Sequence, residues 1–175
     1  MNKDSWTRAE LFARLSPEEL ALVAPAFEPV HLPAGAAVIA EGQPGDDMFL
    51  LVAGRVRVSK SMILKGIAAP GLDAERTEKT LVELGDAQSP FFGEMALLDR
   101  DIRSATVTCL TDCRFLRIDR DRFFTFVAEN PVIGVKLLTV LARRLAGVVR
   151  KNNVELVKLT TALALVLSRR GMERK

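Results

Sequence analysis

One histidine, His31, and two cysteines, Cys109 and Cys113, are all the imidazole and thiol that 175 residues contain. Metal sites built on imidazole need several His, or His combined with Cys and carboxylates, so metalloenzyme chemistry starts without its ligands. His31 is expected as a surface or half-buried strand residue. The cysteines stand four residues apart in an alternating apolar stretch. Extended chain of that length spans roughly 13 Å, beyond the roughly 7 Å Cα separation that a disulfide tolerates, so both are expected to stay reduced. No run of about 18 uncharged apolar residues is present to cross a bilayer. The first fifteen residues mix charged with apolar side chains and lack the apolar core of a signal peptide; a cytoplasmic, soluble protein is the expectation. The net charge is only +3, from 25 Lys and Arg against 22 Asp and Glu, and so slim an excess leaves no nucleic-acid footprint. No internal repeat and no nucleophile with a neighbouring base is visible.

What is present is ordinary globular material: 49% hydrophobic and 27% charged residues, enough for one domain with appendages. Two helix-start signatures, Thr7 with Glu10 and Ser16 with Glu19, read as capping boxes. They predict short helices over residues 8–14 and 17–24, ended by Pro25 and Pro29. From Glu28 the period changes to short apolar runs at 31–32, 38–40, 48–52, 55–58, 80–84, 104–110 and 113–118, separated by glycine and proline turns. At least seven short strands imply a small barrel or roll. Residues 60–79 have no clean period and read as a long, mobile hairpin excursion. Asp119 or Asp121 caps a helix through Phe123, Phe124, Phe126 and Val127, which Asn130-Pro131 interrupts. Beyond Pro131 apolar residues recur at helical spacing to Leu167, as one long helix or two end to end. Forty helical residues reach about 60 Å, more apolar face than a small roll covers, so the stripe predicts a homodimer through this segment.

One stretch breaks the strand pattern. Phe92-Gly93-Glu94-Met95-Ala96-Leu97-Leu98 followed by Arg103-Ser104-Ala105-Thr106-Val107 reads as a loop, one helical turn, a loop and a strand. Gly93 tolerates positive φ or close approach of a ligand, and amides at the start of the turn favour an anion. Arg103 offers a planar fork to phosphate oxygens, and the small Ser104 and Ala105 leave room for it. Phosphate repels Glu94, but its carboxylate accepts from a ribose hydroxyl. An acceptor and a fixed cation in one short cassette suit a sugar phosphate.

Residues 32–127 resemble the cyclic-nucleotide-binding domain family, the β-roll of catabolite activators, of kinase regulatory subunits and of nucleotide-gated channels. The resemblance rests on Pro33-Ala34-Gly35, Glu41-Gly42, Phe49-Leu50-Leu51-Val52-Ala53-Gly54-Arg55-Val56, the cassette just quoted, and Ile118-Asp119-Arg120. It implies a mainly β fold with flanking helices. This is a jelly-roll, cupin-like β-roll with short N-terminal helices over residues 1–130, and a lid and dimerisation segment over 131–175. It implies that Glu94 takes the ribose 2′-hydroxyl and Arg103 the cyclic phosphate, with amides near Ala96 and Ser104 completing the cradle. The expected ligand contacts are Gly93, Glu94, Met95, Ala96, Arg103, Ser104 and Ala105, with Arg144 and Val148 against the base. The ligand would be a cyclic mononucleotide, cAMP first and cGMP second, with no catalytic cofactor and no enzyme activity.

Three departures stand out. Ala87-Gln88-Ser89-Pro90 lengthens the approach to the cassette, Val148-Val149 replaces a polar pair that activators offer to adenine, and the chain stops at Lys175 without a helix-turn-helix. Sequence-specific DNA reading is therefore not expected, and the downstream protein partner is unknown. The residues also admit plainer roles. Arg103 can pair with Glu94 or Asp99, Glu94 can serve the helix dipole, Ser104 can be a strand-start hydroxyl, and the C-terminal basic cluster can be a solvated face. Ligand occupancy would be relayed through the C-terminal helices by a hinge at residues 128–131, and a ligand-free scaffold is the rival reading.

Overall fold

The structure, a computed structural model, describes residues 9–61 and 78–172. Among the described residues, eight antiparallel strands form two four-stranded sheets. The first sheet has the order β1 (Glu28–Leu32), β8 (Cys113–Asp119), β3 (Asp47–Ala53), β6 (Phe91–Phe92). The second has the order β2 (Ala37–Ile39), β7 (Thr106–Cys109), β4 (Arg55–Ser61), β5 (Glu78–Gly85). Among the described residues, four α-helices flank them: α1 (Pro17–Val23), α2 (Glu94–Asp99), α3 (Arg120–Glu129) and α4 (Pro131–Met172). This is the expected mainly β roll with flanking helices.

Alternation explains the sandwich. In β8 the buried Cys113 and Phe115 share a face with the half-buried Arg117, while the other face runs from the exposed Arg114 to the buried Leu116 and Ile118, so both faces are largely covered. Phe49, Phe92 and Phe115 meet in the core with ring centroids 6.0–6.1 Å apart. Two of the three contacts are edge-to-face, a geometry worth about 0.5–1.5 kcal/mol beyond burial. Leu51, Val56, Val107 and Ile39 close the same cluster from both sheets.

Several local expectations need correction. The first N-terminal helix is a single 3-10 turn, Glu10–Phe12, whose N-cap is Ala9 and makes no side-chain cap bond; Thr7 and Arg8 lie outside the described residues. The second forms as expected. The Ser16 hydroxyl accepts from the Glu19 amide and Glu19 accepts from the Ser16 amide, and Lys136 donates to the same carboxylate at 2.6 Å. The 104–110 strand shortens to Thr106–Cys109 because Arg103 and its neighbours are tied to the loop at 42–45. The hairpin arms extend to Ser61 and resume at Glu78, and the excursion between them lies outside the described residues. Phe91–Phe92, not anticipated as a strand, pairs with β3.

Two compact units divide the chain, Met1–Leu137 and Leu138–Lys175. The C-terminal segment is one continuous helix of 42 residues. Its two glycines are not equivalent. A Cβ on Gly134 would stand 2.7 Å from Val127 Cγ1 and 3.2 Å from the Val127 Cα, whereas one on Gly147 would meet nothing within 4 Å. Gly134 is thus where α3 and α4 touch closely. Gly134→Ala is expected to destabilise by about 1–3 kcal/mol through overpacking despite alanine's better helix propensity. Gly147→Ala should stabilise by about 0.5–1 kcal/mol. Urea denaturation of both variants checks the opposite signs.

Candidate functional site

The cassette folds around a glycine. Gly93 holds φ at +89° as the N-cap of α2, a left-handed conformation that side chains resist. A Cβ there would also stand 2.8 Å from the Asp47 carbonyl oxygen and 3.0 Å from Arg103 Nη1. Glu94, Ala96 and Leu97 on α2 are buried, while Met95 is 44% exposed. After α2 the chain turns through Arg100 in a left-handed conformation at φ 60°. It then returns to the loop before β3, where the Arg103 amide donates to Gln43 O at 2.8 Å and Gly42 N donates to Arg103 O at 2.9 Å.

Pinned there, the Arg103 side chain is 7% exposed and Glu94 8%. Its Nη2 pairs with the Asp47 carboxylate, and Nη1 donates to Asp47 O at 2.7 Å and to Gly93 O at 3.5 Å. The pairing with Glu94 or Asp99 allowed by the sequence is replaced by one with a residue 56 positions away. Gly45 packs against the same guanidinium so closely that a Cβ would fall 2.1 Å from Nε. Asp47 also accepts from Arg117 Nε at 2.5 Å, Arg117 reaches Glu28 at 2.5 Å, and Glu28 meets Arg122 at 3.2 Å. The hydrogen bond that Arg117 donates to Asp47, with its bond to Glu28 and the charges of both carboxylates, raises the pKa of Arg117 above the ordinary guanidinium value against the opposing pull of burial.

The predicted contacts Gly93, Glu94, Met95, Ala96, Arg103, Ser104 and Ala105 fall into one neighbourhood. Besides the Arg103 to Gly93 bond, Ser104 Oγ lies 3.8 Å from Met95 Sδ. Arg144 and Val148 stand on α4 in the second compact unit, half-buried and exposed respectively. Sequence reading missed Asp47, Gly45 and Arg117. The run Gly42-Gln43-Pro44-Gly45-Asp46-Asp47 signalled only a turn, and Arg117 was read only as part of the alternating strand 113–118. The lengthened approach is ordered: Asp86–Gln88 is a 3-10 turn, Ser89 is buried at φ 43°, and Pro90 O accepts from Leu51 N at 2.9 Å.

Elsewhere the chemistry is sparse. Cys109 and Cys113 are free and buried, but the extended-chain argument for their separation fails. The chain bends between β7 and β8, and the two thiols interact. Burial first, then the hydrogen bond with Cys113, push the Cys109 thiol up to about 12, which keeps it protonated and a poor nucleophile. A hollow of about 450 Å³ lined by His31, Pro33, Ala53, Asp112 and Arg114 contains no cassette residue. Among the described residues no group of three or more His, Cys, Asp or Glu is placed to hold a metal, and no helix is long and apolar enough to cross a membrane.

The family model described as the cyclic nucleotide-binding domain matches residues 29–130. The chain belongs to that family. A CRP-like cAMP-activated global transcriptional regulator of Mycobacterium tuberculosis is 34% identical over 146 residues, 83% of this chain and 58% of the relative. A cAMP-dependent protein kinase regulatory subunit of Aspergillus niger is 35% identical over 113 residues, 65% of this chain and 24% of the relative. The crystal structure of the Thermus thermophilus catabolite activator protein superposes with a TM-score of 0.69 at 30% identity, covering 87% of this chain and 63% of that one. The chain thus spans under two thirds of these relatives, which are regulatory rather than catalytic proteins.

Within this cyclic-nucleotide-binding roll, the Asp47 carboxylate is the counter-charge that lets Arg103 be buried. Asp47→Asn leaves two guanidinium groups without it. Breaking such a buried pair costs about 3–5 kcal/mol, so the urea midpoint should fall by the equivalent of about 3 kcal/mol at unchanged slope.

Proposed function

We propose that this chain is a non-catalytic regulatory module that binds a cyclic mononucleotide, cAMP in preference to cGMP, and needs no catalytic cofactor. The observation that carries this reading is the buried Arg103 guanidinium, fixed between Gly45 and Gly93 within a family named for binding cyclic nucleotides. Arg103 binds the cyclic phosphate with amides near Ala96 and Ser104. Glu94 accepts from the ribose 2′-hydroxyl, and Arg144 and Val148 of the segment after residue 130 contact the base. Relatives whose names contain cAMP support the choice of ligand. Occupancy leaves the roll through the C-terminal helices, which requires that the ligand favour one arrangement by differential contacts.

Replacing Arg103 by Ala removes a desolvated charge-assisted fork, a loss of about 2–4 kcal/mol or about 30- to 1,000-fold in affinity. Calorimetric titration with cAMP and cGMP reads it; unchanged affinity in Arg103→Ala overturns the assignment.

A homodimer through α4 is part of the same reading. Val149, Leu156 and Leu163 recur at steps of seven, and with Leu159 and Val166 they are 53–67% exposed. Asn152 interrupts the second row formed by Leu138, Leu145, Leu159 and Val166, which places one polar residue within the proposed seam. Sedimentation equilibrium should give about twice the 19.2 kDa chain mass.

A second reading, a ligand-free scaffold whose helices recruit a partner protein, is favoured by one observation: Arg103 already has a carboxylate in Asp47. Thermal melting in millimolar cyclic nucleotides separates the two. Binding to the folded state raises its stability by mass action, whereas the scaffold would melt unchanged.

A further inference from the structure

The last carbonyls of a helix have no partner within it, and those of the cassette helix α2 are met by a residue that opens another helix. Arg120, the first residue of α3, donates from Nη1 to Leu97 O and to Leu98 O at 2.5 Å each. Its guanidinium carbon sits 4.5 Å from the centroid of Phe124, one turn further along α3. Its own amide donates to Asp46 O at 2.9 Å, beside the Asp47 that holds Arg103. The side chain therefore grips the end of α2 while its backbone is tied to the loop before β3 and its planar face rests on α3.

We propose that Arg120 is a positioning residue that makes α2 and α3 move as one body, so that a ligand arriving at the cassette is felt in α3 through this guanidinium. Two other polar routes join the same parts and are weaker. Arg100 pairs with Asp121 at 2.9 Å, but the two side chains are 60% and 81% exposed, where solvent leaves an ion pair little strength. The charge ladder from Asp47 through Arg117 and Glu28 reaches α3 only at Arg122, which is 53% exposed. Arg120 alone of these couples cationic hydrogen bonds to two carbonyls of one helix with a ring contact on the next, and such paired donation to main-chain oxygens is directional. Lys at this place keeps the charge, but as a point donor on a flexible stem it loses the planar contact with Phe124.

This inference rests on the cyclic-nucleotide reading, and its test separates the two. Backbone hydrogen exchange is followed in α2 and α3 with and without saturating cAMP, in wild type, Arg120→Lys and Arg120→Ala, with calorimetric affinity for each. Both substitutions retain good helix formers at the start of α3. In wild type cAMP should slow exchange in both helices. In Arg120→Ala the slowing in α2 should persist, affinity should fall by less than about tenfold, and the slowing in α3 should disappear; Arg120→Lys should show a reduced α3 response. If α3 responds to cAMP as fully in both variants as in wild type, the coupling role is overturned while the binding reading stands. If wild type takes up no cyclic nucleotide, the binding reading falls and this inference with it. Should Arg120→Ala fail to fold, the Arg120→Lys response decides, and a full α3 response there overturns the proposal.

Discussion

A guanidinium buried in the wall of a β-roll is held there by one carboxylate. Arg103 without Asp47 would be a nearly dry cation facing two carbonyl oxygens, and desolvating such a charge costs several kcal/mol after all relaxation. The pair changes where the chain can run. It ties the loop before β3 to the loop before β7, and two main-chain bonds between residues 42–43 and Arg103 complete the tie. Gly45 and Gly93 follow from it, because a side chain at either place would occupy the volume of the guanidinium or press on the carbonyl it bonds.

The roll supplies this pair by its register. In the first sheet Asp47 lies opposite Asp119, and Phe49 opposite Arg117, so Asp47, at the start of β3, shares a sheet face with Arg117 of β8. Arg117 reaches Asp47 from that face and Glu28 from β1 on its other side. A carboxylate shared by two guanidinium groups is held more rigidly than one in a single pair, since each partner already has its side-chain freedom restricted by the other. The aromatic cluster of Phe49, Phe92 and Phe115 lies on the same face, since Asp47, Phe49 and Leu51 alternate along β3 and Phe115 and Arg117 along β8. That face divides along its length into an aromatic core and a charged end where Asp47, Arg117 and Glu28 meet.

This division explains what was legible in the sequence. The cassette from Gly93 to Ala105 was readable because its residues are adjacent in the chain and their types answer one chemical problem. The strands were readable from alternation, and α3 from Asp119, whose side chain accepts from the Arg122 amide at 2.8 Å. Asp47 was not, since its partner lies 56 residues away and an aspartate next to Gly-Asp reads first as turn chemistry. Phe91–Phe92 was too short to show a period. The cysteines misled for the same reason: an extended-chain distance holds within one strand, and theirs belong to two strands of different sheets. Arg120 was legible only as part of a family signature; its grip on α2 depends on a tertiary contact that no spacing encodes.

The carboxylate also bounds what a phosphate can gain. An anion arriving at Arg103 meets a cation already compensated, so its return is the difference between its own hydrogen bonds and those it shares with or takes from Asp47, not the full attraction of a bare charge. The phosphodiester of a cyclic nucleotide has two free oxygens, as a carboxylate has, so any gain comes from the main-chain amides it would meet besides Arg103 and stays moderate. The displaced share of Asp47 stays with Arg117, whose bond to that carboxylate is independent of Arg103. On the proposed reading, exchange between two anions at one guanidinium would keep both states of the site satisfied, and a module whose empty and filled forms are each satisfied would respond reversibly rather than fold around its ligand.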